Sequence, residues 1–104
     1  MTDHETLYLY RLQQAEQTLS DARRMLAADV SPRSVVNRAY YAAFYIILAL
    51  FQRDGLNPKT SKHSGVLGLF DKTFVMTGRI DRSFGKIIHG LFDSRQECDY
   101  KEFL

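Results

Sequence analysis

Arg95 and Asp99 stand four residues apart near the C-terminal end, Asn37 and Arg38 stand side by side at the head of an uncharged run, and His63 lies in Ser61-Lys62-His63-Ser64-Gly65. An arginine offers a planar fork of N–H donors that grips phosphate or carboxylate bidentately. A histidine titrates near neutral pH and carries protons in either direction. His63 falls where a helix is expected to begin, a position whose backbone dipoles lower an imidazole pKa and whose amides attract anions. Arg95 and Asp99, at i and i+4 on a helix, are equally well explained by a solvated ion pair worth about 0.3–0.5 kcal/mol. Arg82 and His89 are two helical turns apart and share a face.

Other chemistries lack their residues. The chain has no glycine-rich phosphate loop, no His-Glu-x-x-His and no paired cysteines, and its carboxylates are too scattered to argue for a metal pair, so no metal or cofactor is expected. Cys98 is the single cysteine, which excludes an internal disulfide and suits a reducing compartment; without an adjacent histidine it reads as inert. His4 falls in the polar opening Met-Thr-Asp-His-Glu-Thr.

The elements that must position these side chains read as helices. Leu9, Leu12, Ala15, Leu19, Ala22 and Leu26 recur at three-and-four spacing and predict a helix over about 5–28. Ser31 is a cap and Pro32 a first-turn residue for a second helix that runs to about Arg53 and stops at Gly55. Pro58 marks a loop, after which Thr60 or Ser61 caps a third helix to about Met76 with Val66, Leu67, Phe70, Phe74 and Val75 inward. Asp81 caps a fourth over about 82–98, with Phe84, Ile87, Ile88, Leu91 and Phe92 on its inner side. Gly85 and Gly90 inside that helix suggest close packing against a neighbour. No stretch reads as a strand. The expected fold is all-α, an up-and-down antiparallel four-helix bundle in one domain spanning 1–104, with successive helices antiparallel and the second at the centre.

The uncharged run Ala39 to Phe51 is short for a membrane span, which needs roughly 20 apolar residues. With no signal-peptide pattern at the start, a cytoplasmic protein away from membranes is expected. Net charge is +2, yet residues 52–89 carry seven basic and three acidic side chains, a modest basic face that attracts an anion or a nucleic-acid backbone. Tyr40, Tyr41 and Tyr45 are read as core or interface aromatics whose hydroxyls reach a polar neighbour such as Asn37 or Asp99.

Asn-Arg-Ala-Tyr-Tyr-Ala-Ala-Phe-Tyr at 37–45, the stretch from Asn57 to Phe70 and Ser-Arg-Gln-Glu-Cys-Asp-Tyr at 94–100, in this order, resemble the small HEPN-domain proteins of bacteria and archaea. The resemblance covers about Leu7 to Phe103. It implies a bundle of four or five helices that dimerises and, in many relatives, is encoded beside a small nucleotidyltransferase as a toxin–antitoxin pair. Active members are similar to metal-independent ribonucleases in which an arginine, followed after four to six residues by a histidine, acts across a dimer cleft. Here Arg95 is followed by Asp99 and Tyr100 instead, and an aspartate ionised at pH 7 is a poor general acid. Arg82 and His89 do fit the spacing, but a few turns early. What the resemblance implies is a groove for RNA or nucleotide lined by Asn37, Arg38, Tyr41, His63, Arg95, Asp99 and Tyr100. Arg95 and Arg38 would hold phosphate, His63 would carry the proton, Asp99 would orient Arg95 or Tyr100, and Tyr100 would be open to adenylylation by a partner. The competing expectation is a non-catalytic interaction or nucleotide-binding accessory module in which the same residues form a buried polar network.

Overall fold

The structure is a computed structural model that describes residues 2–101, with side chains described as far as Cys98. Helix α1, Asp3–Ala27, starts at Thr2, whose hydroxyl accepts from the Glu5 amide at 3.0 Å. Helix α2, Pro32–Asp54, starts at Ser31, whose side chain accepts from Ser34, and ends at Gly55 with φ 70°, a left-handed stop. Helix α3, His63–Phe70, passes without a break into a π-helical turn, Asp71–Val75, marked by the Met76 amide reaching back five residues to the Asp71 carbonyl at 2.8 Å. Helix α4 spans Arg82–Lys101, and the Asp81 carboxylate accepts from the Ser83 amide at its head. The all-α four-helix bundle expected from the sequence is the fold, and the described residues include no strand.

Tyr40, Phe44, Ile47 and Phe51 of α2 meet Val66, Leu67 and Phe70 of α3, Phe74 of the π-turn and Ile88 of α4 in one buried cluster. Full burial of each large apolar side chain stabilises by about 1.5–3 kcal/mol, so this cluster fixes how α2, α3 and α4 sit. Helix α1 packs along α2 through small residues, with Ala15, Thr18 and Ala22 buried. At 23 residues, with a window of mean hydropathy 1.4, α2 is long and apolar enough by length and composition to cross a membrane. In the bundle its aromatic and aliphatic residues are the centre of the core.

One expectation of chain direction needs correcting. Helix α3 does not turn back along α2 but runs beside it in the same direction: His63 stacks on Phe44, while Phe74 stacks on Phe51 further down. The connection 55–62 makes this possible, because eight extended residues reach about 26 Å, more than the roughly 18 Å of α2 that they climb back along. Gly65 lets the loop close against α3: a Cβ there would collide with Thr60 Cγ2. Thr60 accordingly accepts from the Lys62 amide and does not cap α3, which starts two residues later than the sequence pattern suggests. Helix α4 then returns antiparallel to both α2 and α3.

The apolar stripes of α1 and α4 are only partly used. Leu9, Leu19 and Leu26 are exposed, as is Ile87, and an apolar groove of about 350 Å³ runs between Leu19 of α1 and Ile87 of α4 over Ala39, Ala42 and Ala43. Gly85 lies beside Val75, which a Cβ there would touch at an ordinary 3.4 Å, and Gly90 faces open space, so neither glycine is required by a close helix approach.

Candidate functional site

The Ser31 cap and Pro32 fix where α2 starts, so Arg33, Ser34, Asn37 and Arg38 emerge from its first two turns. The returning α4 brings Arg95 and Cys98 to the same end, and α1 adds Met25. Together these seven residues line a cleft of about 390 Å³. Three guanidinium-bearing residues and one carboxamide are among the lining residues, and of these Arg38 and Arg95 lie against the Tyr41 ring.

Arg38 and Arg95 are both held against Tyr41. The Arg38 guanidinium lies 5.4 Å from the ring centre and donates to Asn37 Oδ1 at 3.1 Å. The Arg95 guanidinium lies 5.2 Å from the Tyr41 ring and 5.1 Å from that of Tyr40, and its Nη2 donates to the Tyr41 hydroxyl at 3.4 Å. Two aromatic faces orient a cation without neutralising it. Nε of Arg95 is buried with no hydrogen-bond partner among the described residues. The hydroxyl of Tyr41 therefore serves Arg95, not Asn37, and Asp99 and Tyr100 have side chains outside the described residues.

His63 is the first residue of α3 but is no open helix terminus. Its ring stacks on Phe44 at 4.2 Å and on Tyr40 at 5.6 Å, and meets Tyr41 edge-on at 5.8 Å. Nδ1 is 2.7 Å from the Tyr40 hydroxyl. Burial, and after it the positive charge of Arg95, lowers the His63 pKa below its ordinary value. Burial also pushes the Tyr40 phenol up to about 12, against the opposing pull of Arg95 and with a further push from Tyr41. A phenol that keeps its proton can donate it to Nδ1, which puts the neutral ring's own proton on Nε2, or its oxygen can accept from Nδ1–H, which leaves Nε2 as the acceptor. His63 does not line the cleft; it communicates with it through Tyr40, Tyr41 and Arg95.

Of the residues expected to gather, Asn37, Arg38, Tyr41, His63 and Arg95 lie at one end of the bundle in this connected set. Arg82 and His89 lie elsewhere, in a hollow between the π-turn and the first half of α4, where His89 Nε2 pairs with Asp71 Oδ2 at 2.6 Å. Sequence reasoning missed Arg33, although it sits one turn before Asn37, and it expected the Tyr40 hydroxyl to reach Asn37 or Asp99, whereas that hydroxyl meets His63 Nδ1. It also missed Asp71 as a partner of His89, for which the π-turn gives no clear sequence signal.

The sequence model of the HEPN domain matches residues 8–104. Among curated proteins, a Thermotoga maritima protein named "UPF0332 protein" is 38% identical over the whole of this chain, which spans 76% of that relative. A Methanocaldococcus jannaschii protein named "Putative toxin" is 41% identical over 83% of this chain, and a second of that name and organism is 34% identical over 86%. The matched regions are 62% and 58% of those two relatives, so this chain corresponds to only part of each. No solved structure matches.

Proposed function

This chain belongs to the HEPN domain family, and from that membership and the arginine-lined cleft we propose that it is the toxin component of a toxin–antitoxin pair acting on RNA. The observation that carries the reading is the link from an arginine-lined cleft to a partly buried imidazole through two tyrosines. Arg38 and Arg95 would grip the non-bridging oxygens of a phosphodiester, and Asn37 would add a donor. His63, neutral at physiological pH because its pKa is lowered, would be the proton carrier: in the tautomer whose Nδ1–H donates to the Tyr40 oxygen, Nε2 would accept the proton of the attacking 2′-hydroxyl and return it to the leaving 5′-oxygen. Asp99, in the place of the histidine of active family members, would orient Arg95 or Tyr100. We place the activity in a single domain, a homodimer, with a small nucleotidyltransferase as antitoxin and Tyr100 as the residue it would modify.

The enclosure of His63 favours a second reading. A ring stacked on two aromatics and bonded to a buried phenol is also what a register-fixing polar network looks like, and the same residues would then serve a non-catalytic interaction or nucleotide-binding accessory module. Labelled RNA incubated in EDTA with the wild type, Arg95→Ala and His63→Gln separates the two. Metal-independent cleavage that drops by about 10²-fold or more in both folded variants is the expected result. Intact RNA and no binding in the wild type would replace the ribonuclease with the interaction module.

A further inference from the structure

The hollow at the other end of α4 has the makings of a separate site. Arg82, Lys86 and His89 follow one another at four and three residues, so they form a single stripe on α4. The π-turn faces that stripe. Its first residue, Asp71, binds His89 Nε2, which leaves Nδ1 as the ring nitrogen available to a ligand. Single π-turns inside α-helices recur at functional sites, and here the turn supplies the carboxylate that holds the imidazole. Between the stripe and the turn, buried Gly85 presents bare backbone to the hollow, and Val75 forms the wall behind it. A Cβ at position 85 would touch Val75 at 3.4 Å and take up part of the space that these groups surround.

Neither Arg82 nor Lys86 has an ion-pair partner among the described residues. The charges decide the ligand. Among the lining residues Arg82 and Lys86 contribute two positive charges and Asp71 one negative, a net positive lining, while Asp81 outside it draws partly on Arg82. Within about 280 Å³ there is room for a tetrahedral oxyanion and the group attached to it. A phosphate carries more charge than a carboxylate and spreads its oxygens tetrahedrally, so it can meet all three donors from different directions at once. We propose that Arg82, Lys86 and His89 form a phosphate-binding site, with Asp71 as the positioning residue that aims His89. This site stands apart from the arginine cleft and does not depend on the ribonuclease reading.

The test is a titration of the full chain with inorganic phosphate at constant ionic strength, following the imidazole nitrogens of the three histidines by NMR. The expected result is a saturable shift of His89, with His63 and His4 unmoved, and affinity weakened by roughly tenfold or more in the Arg82→Ala/Lys86→Ala double variant. Both substituted side chains are exposed, so the fold is retained, and circular dichroism verifies it. A His89 signal that stays still, that moves equally in the double variant, or that moves only together with the other two histidines overturns the site. A short RNA oligonucleotide and a nucleoside monophosphate form the second arm. A shift of His89 by both identifies a phosphodiester chain as a source, and a shift by the monophosphate alone identifies a terminal or free phosphate. Because the readout is His89 and not RNA cleavage, failure here leaves the Arg95 assay untouched, and the reverse holds.

Discussion

The molecule contains two histidine-centred regions on opposite ends of α4, and they are built on opposite principles. His63 is enclosed by Phe44, Tyr40 and Tyr41 and bonded to a phenol, with the nearest cation, Arg95, working against its protonation. His89 is about half exposed and bonded to a carboxylate, with cations that reach outward to solvent. The first region draws its energetics from burial, which makes every change there expensive and pH-dependent. The second draws them from charge at the surface, where water and salt dilute each interaction. An imidazole packed among aromatic rings suits proton transfer under control of its surroundings; a half-exposed one beside two cations suits binding.

The largest effect expected from this contrast is at Phe44. Phe44→Ala removes the ring stacked 4.2 Å from His63 and opens a cavity in the core cluster, and it should lower unfolding free energy by about 3–5 kcal/mol in denaturant titration. A loss of less than about 1 kcal/mol would mean that the aromatic enclosure does not carry the fold. Next comes Tyr40→Phe, which keeps the ring and deletes the partner of His63 Nδ1; leaving a partly buried ring nitrogen unpaired should cost about 1–3 kcal/mol. In the same variant, RNA cleavage should fall if the hydroxyl holds the tautomer of His63.

A smaller and more specific effect concerns pH. The folded pKa of His63 lies below the ordinary 6.5, so the unfolded chain holds the proton more tightly. The stability that neutral His63 contributes is then fully present above pH 6.5 and is lost as pH falls from 6.5 through the folded value. Thermal melts across this window should show Tm declining, and His63→Gln should flatten its share of the decline. Arg95→Met should leave part of the slope, because burial, the larger cause, remains. Tyr40 has the opposite sign: with its pKa pushed up to about 12, its contribution holds below pH 10 and fades above it.

How much of this was legible beforehand differs between the two regions for a physical reason. Helix ends were readable because Ser31, Gly55 and Asp81 act locally, through their own backbone geometry. The core face of α2 was readable because Tyr40, Phe44, Ile47 and Phe51 keep helical period. The direction of α3 was not, since it depends on an eight-residue connection lying back along α2, and a short turn would have set His63 near Asp54, far from Arg38 and Arg95. Only the family resemblance put His63 with those arginines. The unfilled stripes of α1 and α4 were unreadable for a related reason: Leu19 and Ile87 are spaced as core residues, and whether such a face is covered is decided by its neighbours. The Asp71–His89 pair depends on a π-turn, one extra residue in a helical turn that composition does not announce.

The smallest effect is expected at Asp71, where the comparison can be broken most easily. Asp71→Asn keeps the shape and hydrogen-bonding capacity of the side chain and removes its charge. Because the Asp71 and His89 side chains are 29% and 46% exposed, the lost attraction is screened and should lower stability by less than about 1 kcal/mol, shrinking further as salt rises. Denaturant titration at low and high salt measures both parts. A larger, salt-insensitive loss would mean that the pair clamps the π-turn against α4, and the second region would then resemble the first in being structural. A small, salt-sensitive loss leaves the turn standing on Phe74 and the Met76–Asp71 backbone bond, and assigns the carboxylate to aiming His89.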